Sequence, residues 1–552
     1  MVNSNRSHRR FAGRRIVIIL FSLLIAGAGG EIMAQQNKKS VSKVSKQYAK
    51  YVKDKAQGKE KLAQKRSSDP ATVTREQDSV IVEGPQDPMR AAYDEFRQQA
   101  TADYENFRDK ANQDYAEFVK EAWKQFHAMP AIPRPVEKEV PPVVIKEEEL
   151  KKPVEDKPVP VEEEVVTLPA PEPQPVPVAP IREQPVTEEK TVSFSVYGTD
   201  LKVRFADDQR FTLKDCNENT ISDAWKKLSG KAYNNTIRDC LELRITKKLS
   251  DWAYLNMIYQ FAKACVGNGN EAVLLTGYIY CQSGYRMRLG TRNGVLYLLY
   301  ASEHVIFNRS YFVVGSEYYY VFNSDEVSMK LCDVAFPKEQ SMSLYIRQDQ
   351  QFDYVASEDR HLKSKRFPEM DITSHVNKNL MAFCNDYPSS SIWDNVMTRW
   401  AMLANMPMEK EVQDYLYPQL REKIKGLNEK EAMERLLNWV QTSLVYEYDD
   451  KVWGHDRAFF AEESLFYPYA DCEDRSILIS RLVRDLLGLK AILIYYPGHL
   501  AMAVGFTEDV KGDYILLNGN KYIVCDPTYI GARVGMTMPD MDNATAKVIL
   551  LE

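Results

Sequence analysis

Apolar residues are spaced in several ways along this chain of 552 residues. In FSVYGTDLKVRF, residues 194–205, apolar and polar positions alternate around a Gly-Thr-Asp turn, which predicts a β-hairpin. Residues 252–264 have helical spacing and predict a helix, whereas 285–323 are rich in Tyr, Val and Leu and predict strands. Residues 391–447 predict helices, the last of which leads into a strand. From about residue 191 onward we therefore expect an α+β protein.

The C-terminal part shows the clearest pattern. Residues 472–487 place their apolar side chains on one helical face, and Gly488 is suited to end that helix. Three apolar stretches follow and predict strands, at 489–496, 499–506 and 521–526. The sequence thus predicts a helix packed on an antiparallel sheet at the C-terminus, preceded by a second α+β domain.

An aromatic repeat precedes the globular part. Aromatic residues recur every eleven positions, and a second set sits three places after the tyrosines: Tyr93, Tyr104, Tyr115 and Phe126, with Phe96, Phe107 and Phe118. This spacing keeps one apolar stripe along a helix. We therefore expect a long amphipathic helix over residues 88–129 that packs on itself or on a partner, as in a coiled coil.

Between this repeat and the globular part lies a segment rich in proline. Residues 130–190 hold 15 of the 27 prolines, mixed with Glu, Lys and Val. Such a composition favours extended polyproline II, at about 3.1 Å per residue and so up to roughly 190 Å in all. We expect a semi-rigid spacer that holds the C-terminal part away from the N-terminal helix.

The N-terminus determines the expected compartment. Arginines precede a short apolar run and a small-residue site that ends at Ala34, which predicts a secretory signal peptide over residues 1–34. A cleaved peptide is favoured over an uncleaved inner-membrane anchor, because a bilayer span needs about 20 apolar residues. We expect an exported protein of the periplasm or cell envelope.

A basic arm follows the signal peptide, at residues 35–87. Its part from 37 to 66 carries ten lysines and Arg66, and we expect a helix or a disordered segment. Contact with an anionic envelope surface is the sharper alternative. The chain as a whole has a net charge of −6, so it is a poor candidate for binding nucleic acid.

One cysteine stands out from the eight, whose irregular spacing and lack of a CxxC motif predict no disulfide framework. Cys472 directly precedes the C-terminal helix and is surrounded by Asp471, Glu473 and Asp474. Asp471 is suited to cap that helix, and the other two acids suit its first turn. We therefore expect the carboxylates to have a structural role, so that they need not point at the sulfur, and the helix end to lower the thiol pKa.

A histidine and an aspartate follow at regular intervals. His499 heads a predicted strand after a Pro-Gly turn, and Asp526 ends another strand before Pro527. A strand-borne imidazole can lie beside the N-terminus of a helix, and a carboxylate on the neighbouring strand can fix its tautomer. The three residues are therefore candidates for a Cys-His-Asp triad.

These three motifs resemble the transglutaminase-like domain of the papain-like cysteine enzymes, over roughly residues 430 to 530. The resemblance implies a catalytic domain over residues 391–552, with Cys472 as nucleophile, His499 as general base and acid, and Asp526 as orienting residue. The backbone N–H of Cys472 would supply one oxyanion donor. The family contains transglutaminases, peptidases, amidases and inactive scaffolds.

Aromatic residues near the cysteine are candidates for substrate binding. Trp453, Tyr467 and Tyr469 are candidates for substrate contacts and for the second oxyanion donor, although core packing is the alternative for this aromatic-rich stretch. We expect no metal, since the motif lacks a convincing fourth ligand, and no cofactor. His455 is expected to shape the groove.

A second copy of the fold is suggested by shifting the sequence by 204 residues. The stretch from Cys472 to Asp526 then lies over residues 268–322 without a gap. The catalytic positions become Asn268, Val295 and Phe322, so none of the three groups survives. Residues 191–330 are therefore a possible degenerate copy, with 331–390 as a strand-rich connecting region; chance similarity is the alternative.

The sequence thus favours an exported thiol-dependent hydrolase or acyltransferase, a cysteine peptidase, amidase or transglutaminase-like enzyme. It would act on a peptide or carboxamide carbonyl through a thioester. Its partner would be a peptide or protein substrate, and envelope components are expected to meet the basic arm and the aromatic-repeat helix. The alternative is a non-catalytic envelope scaffold or peptide-binding protein; a third reading treats the proline-rich spacer as a pro-segment.

Overall fold

The computed structural model describes residues 88–552, except for positions 137, 163, 172, 187 and 542–544. The predicted signal peptide and basic arm lie outside the described residues. From Met89 onward the chain forms one compact unit. Helices and sheets are both abundant in the described part, which places the protein in the mixed α+β class.

Thirteen α-helices occur in the described part: α1 Pro88–Glu121, α2 Glu147–Leu150, α3 Glu218–Leu228, α4 Asn234–Thr246, α5 Asp251–Val266, α6 Asn270–Gln282, α7 Lys378–Asp386, α8 Thr398–Asn405, α9 Lys410–Ile424, α10 Glu429–Ser443, α11 Asp449–Val452, α12 Ala461–Phe466 and α13 Cys472–Leu482. No helix in this part is long and apolar enough to cross a membrane.

The strands of the same part fall into two groups, one on each side of residue 340. The first group is β1 Trp123–His127, β2 Val143–Val144, β3 Lys157–Pro158, β4 Val165–Val166, β5 Thr191–Val196, β6 Thr199–Arg204, β7 Met287–Arg292, β8 Val295–Ala301, β9 His304–Ile306, β10 Tyr311–Val314, β11 Glu317–Val321 and β12 Ser328–Cys332. The second group is β13 Arg360–Lys363, β14 Asp371–Ser374, β15 Ser390–Ile392, β16 Lys490–Tyr496, β17 His499–Gly505, β18 Asp513–Leu517, β19 Asn520–Val524, β20 Tyr529–Ile530 and β21 Lys547–Leu550.

The predicted C-terminal helix and sheet are present. Helix α13 starts at Cys472, and the Asp471 side chain accepts a hydrogen bond from the backbone N–H of Asp474 as an N-cap. The helix continues through one π turn and ends at Gly488, whose φ of 66° is left-handed. It packs on β17, where the Ser476 hydroxyl donates to the Leu500 carbonyl at 2.8 Å. These contacts fix the start of α13 over the start of β17.

The sheet beneath α13 has seven strands in the order β3-β18-β19-β17-β16-β21-β4. Its five inner strands are antiparallel, whereas β3 and β4 add to the two edges in parallel. Strands β18 and β21 are not among the three strands that the sequence predicted.

The proline-rich segment differs from the expected spacer, because it packs along the globular part. Its short strands β2, β3 and β4 pair with β20, β18 and β21. The valines between the prolines supply the buried side chains, Val159, Val166 and Val178 among them. Proline is tolerated at a sheet edge, where no partner needs its missing N–H. The segment is therefore part of the fold.

Helix α1 ends earlier than the aromatic repeat predicts. It stops at Glu121, and Phe126 falls on β1, which pairs with β12. Tyr115 is buried, with its ring centroid 4.5 Å from that of Trp225, whereas Tyr104 and Phe107 are exposed. The buried face of α1 thus follows positions 108, 112, 115, 116 and 119 instead of the aromatic stripe.

The remaining predicted elements differ in smaller ways. The hairpin β5–β6 turns at Tyr197 and Gly198, one residue earlier than expected. Helix α5 covers the predicted helix, but no described strand directly follows α10; Val445 makes only an isolated bridge to Tyr469. Residues 331–390 contain little strand beyond β13 and β14 and are mostly irregular.

A second sheet, formed by β1 and by five strands between residues 287 and 332, has a related topology. Its order is β1-β12-β7-β8-β11-β10, and the run β12-β7-β8-β11-β10 follows the same connections as β21-β16-β17-β19-β18. Ala491 pairs with Val504, and Met287 pairs with Tyr300, each 204 positions earlier in the chain. The central hairpins of both sheets therefore share one register.

The register of the next strand pair differs by one residue. Leu299 faces Val321, one residue beyond the partner that the shift predicts. The place of Asp526 is therefore taken by Asn323 and not by Phe322. The ungapped alignment thus needs one inserted residue between β8 and β11.

Candidate active site

The candidate nucleophile sits at the buried N-terminus of α13. Cys472 is the first residue of the helix and is 2% exposed. Backbone N–H groups of a first helical turn have no partner within the helix, so this position favours a negative charge. The backbone N–H of Leu500, on β17, also approaches the sulfur and acts to lower the thiol pKa. The helix end and the strand therefore meet at Cys472.

The candidate base and its orienting residue form a buried pair. His499, the first residue of β17, lies with Nε2 2.9 Å from Oδ2 of Asp526. The two residues are 2% and 1% exposed. Oδ1 of Asp526 accepts the backbone N–H groups of Thr528 at 2.8 Å and Tyr529 at 3.2 Å. These bonds fix the carboxylate, which in turn fixes the imidazole.

The other nitrogen of the imidazole is available. Nδ1 of His499 is buried and has no hydrogen-bond partner among the described residues. A histidine whose Nε2 donates to a carboxylate presents Nδ1 as an acceptor. The structure thus places a basic nitrogen, without a partner, on the residue next to Leu500, whose N–H approaches the sulfur.

The sulfur itself is bound to a carboxylate. The Cys472 thiol donates to Oε2 of Glu473 at 3.4 Å, so one of the acids with an expected structural role does face the sulfur. Burial, followed by the charges of Glu473 and Asp471, raises the pKa of Cys472 well above its ordinary value. The expectation that the helix end lowers this pKa is not met.

A group of buried carboxylates surrounds the start of α13. Asp449 lies within 4.8 Å of Asp471 and Asp474, and also of Asp456 and Glu473, measured between side-chain oxygens. Burial raises the pKa of Asp449 to about 7. Oxygen ligands in this number suit a hard cation such as Ca²⁺, so these residues could hold one. Without a cation, the same carboxylates must share protons.

A segment of the proline-rich region covers the site. The backbone N–H of Val140 donates to the Gly498 carbonyl at 2.8 Å, beside His499. Gly498 has a φ of +76°, and a Cβ there would overlap the carbonyl oxygen of Lys138. The hydroxyl of Tyr446 donates to the carboxylate of Glu139 at 3.3 Å. Residues 138–140, called here the covering segment, therefore lie against Gly498 and Tyr446 at the edge of the site.

The residues predicted to bind substrate lie in two places. Trp453 and Tyr467 pack together, with ring centroids 4.9 Å apart, and the Arg457 guanidinium lies 4.3 Å from the Trp453 centroid. Tyr469 is exposed two residues before Asp471. The first two thus form an aromatic cluster instead of open binding faces.

His455 lines a cavity of about 230 Å³ together with Arg134 and Asp456, one of the carboxylates near the start of α13. Burial lowers its pKa, with the nearby arginines adding to the effect.

Several residues of the site were not predicted. Gln441, on α10, donates to the backbone carbonyl of Asp526 at 3.0 Å and helps to hold the end of β19. Glu139 and Tyr446 meet beside Cys472, and burial raises the pKa of both. Their sequence positions carry no periodicity or motif that marks them, since each acts through a contact distant in the chain.

No protein-family model matches the sequence of this chain, and no curated protein matches it. The likeness to transglutaminase-like domains therefore stays a prediction from three motifs.

Proposed function

We propose that the chain is a thiol-dependent hydrolase or acyltransferase that uses Cys472, His499 and Asp526. The observation that carries this proposal is the buried hydrogen bond between His499 and Asp526, which leaves Nδ1 of the imidazole without a partner. A buried imidazole oriented by a carboxylate beside a helix N-terminus is the arrangement that activates a thiol.

The chemistry proceeds through two acyl transfers. Nδ1 of His499 takes the thiol proton, and the sulfur attacks a carbonyl carbon to give a tetrahedral intermediate. The backbone N–H of Cys472 stabilises its oxyanion. The C–N bond then breaks, His499 returns the proton to the leaving amine, and a thioester remains. Water or a second amine attacks this thioester with His499 as base, releasing the acid or the amide and restoring the thiol.

Substrate access requires two local changes. The catalytic side chains are 1–2% exposed, so the covering segment must move before a carbonyl can reach the sulfur. The thiol must also leave Glu473 for the imidazole, because a proton shared with a carboxylate keeps it unreactive. We therefore infer that the described conformation is a closed one, and that a polypeptide or carboxamide substrate occupies the place of the covering segment.

A transglutaminase-like arrangement of the C-terminal half is part of the same proposal. A helix that begins with the cysteine and packs on a strand that begins with the histidine supports it. The shared strand order of the two sheets supports a duplication in which the first copy carries Asn268, Val295 and Asn323 at the three positions. The export of the chain rests on its N-terminal sequence alone.

A second candidate function is a non-catalytic scaffold that binds peptides. The raised pKa of Cys472 and its bond to Glu473 favour this reading, since both keep the thiol inert. Under this reading the His499–Asp526 pair would only stabilise the fold. Activity separates the two candidates.

The test is a peptide library incubated with the full-length chain, read by mass spectrometry for new termini and for carboxamides converted to acids or to new amides. We expect products from the wild type and from Cys216→Ser, a control that removes a half-buried thiol outside the site. Cys472→Ala is expected to give none. Products that persist in Cys472→Ala, or no products from any variant, would reject the enzyme in favour of the scaffold.

A further inference from the structure

A large cleft lies away from the candidate active site, between the sheet that contains β8 and β11 and the loop after β15. Its volume is about 1060 Å³, and its far wall is formed by the prolines of residues 169–175. A volume of this size exceeds what a single metabolite needs and suits several linked rings. The cleft shares no lining residue with the group around Cys472.

A tryptophan at the rim is exposed in a strained conformation. Trp393 is 71% exposed and has a φ of 51°, at a turn position that glycine or asparagine normally takes. The Ser391 hydroxyl donates to its carbonyl at 3.1 Å and holds the turn. Strained backbone of this kind is kept where a side chain must be presented to a ligand. The exposed indole is thus one of the side chains that line the cleft.

The lining is polar, and among the described residues each of its lysines and arginines is paired with a carboxylate. Six serines and four glutamines contribute to it. Arg286 pairs with Glu317 at 2.7 Å, and Lys248 and Arg347 pair with the carboxylates of Asp349 and Glu552. A cleft without an unpaired cation does not attract anionic polymers. The serines and glutamines of the lining favour a ligand that is rich in hydrogen-bonding groups and carries no negative charge.

A buried histidine adds an unused hydrogen-bonding atom. His304 lines the cleft and is 3% exposed, and its Nδ1 has no partner in the described part of the chain. Nε2 lies 3.4 Å from the Ser343 hydroxyl. Burial lowers the pKa of His304 to about 3, so the ring is neutral. A buried polar atom without a partner is costly unless a ligand or water satisfies it.

From this combination we propose that the cleft binds a neutral oligosaccharide. Sugar rings present an apolar face that stacks on an indole and hydroxyl groups that bond to serine, glutamine and imidazole. Trp393 is the stacking platform at the rim, and the serines and glutamines of the lining are the polar contacts inside. This binding is independent of the proposed chemistry at Cys472.

The first test applies the full-length chain to an array of neutral oligosaccharides and anionic oligosaccharides of equal length. Titration calorimetry then measures the affinity of the full-length chain for the oligosaccharide that binds most strongly. We expect a neutral oligosaccharide to bind, at least tenfold weaker binding to Trp393→Ala, and near wild-type binding to Trp393→Phe. Leu516→Ala, which removes another exposed apolar side chain, is expected to stay within twofold of the wild type.

Trp393→Gly separates a binding role from a structural one. Glycine adopts this backbone without strain, so the variant is expected to melt at a higher temperature while losing the sugar. An array on which no neutral oligosaccharide binds, stronger binding of anionic chains, or equal affinity in Trp393→Ala would each overturn the proposal.

Discussion

Replacing Gly498 by alanine should open the covering segment. The residue has a φ of +76°, and its new Cβ would overlap the Lys138 carbonyl oxygen, so residues 138–140 have to move away. The bond from the Val140 N–H to the Gly498 carbonyl, at 2.8 Å, would be lost with that movement. The substitution thus acts on the segment that keeps Cys472 out of reach.

The expected magnitude follows from two contributions. An L-residue in the left-handed region costs about 1–2 kcal/mol, and this cost destabilises the closed and the open forms alike. The lost hydrogen bond contributes about 0.5–1.5 kcal/mol and affects only the closed form. A change of about 1 kcal/mol in the opening equilibrium multiplies the open fraction by about five. We therefore expect Cys472 to react about fivefold faster, within a range of about two- to tenfold.

The assay is alkylation by iodoacetamide, followed by mass spectrometry of the peptide that contains Cys472. Gly454→Ala is the matched control, because Gly454 has a φ of +74° and no heavy atom within 4 Å of the new Cβ. It should lose similar stability without faster labelling. Equal labelling rates in the two variants would refute the covering role of residues 138–140.

Three further predictions concern the buried carboxylates. Asp526→Ala should lower the free energy of unfolding, measured in urea, by about 3–5 kcal/mol, because it leaves buried donors unpaired. Asp526→Asn keeps an acceptor for the N–H groups of Thr528 and Tyr529 and should lose clearly less stability. Equal losses in the two variants would contradict this prediction. The pKa of Asp449 is about 7 in the folded protein, against an ordinary value of 3.8. The protonated Asp449 therefore stabilises the fold fully below about pH 4, and this stabilisation, up to about 4 kcal/mol, is lost as the pH rises to 7. Asp449→Asn should therefore flatten the melting temperature between pH 4 and 7, and an unchanged slope would contradict the assignment. Millimolar Ca²⁺ should raise the melting temperature of the wild type at pH 8 but not that of Asp449→Asn, and removal by EDTA should reverse the shift.

The C-terminal elements could be predicted because each carries a local signal. Helix α13 follows from its N-cap at Asp471 and its left-handed end at Gly488, and β16 and β17 follow from apolar runs. Strand β18 was missed although Asn518 and Gly519, both with positive φ, form a two-residue turn that is typical of hairpins. That error was avoidable from the sequence.

The proline-rich segment could not be assigned in the same way. Alternating Pro and Val fits both a solvated extended chain and an edge strand, since the two share nearly the same backbone angles. Which one forms depends on a free sheet edge more than 300 residues away, as β3 and β18 show. Composition alone gives no information on such a partner.

The candidate site was predictable in its members but not in its state. Cys472, His499 and Asp526 could be selected from their types and their places on a helix and two strands. The contact of the thiol with Glu473 depends on a side-chain rotamer, and the cover by Glu139 depends on a distant segment. Neither leaves a pattern in the sequence.

The most direct test of the central claim is the pH dependence of iodoacetamide labelling at Cys472 in Gly498→Ala, with and without His499→Ala. The account predicts fast labelling below about pH 7 that disappears when the imidazole is removed, because a histidine-activated thiolate persists at low pH. Labelling that rises only near pH 8.5 in both variants would show an ordinary thiol and contradict the triad.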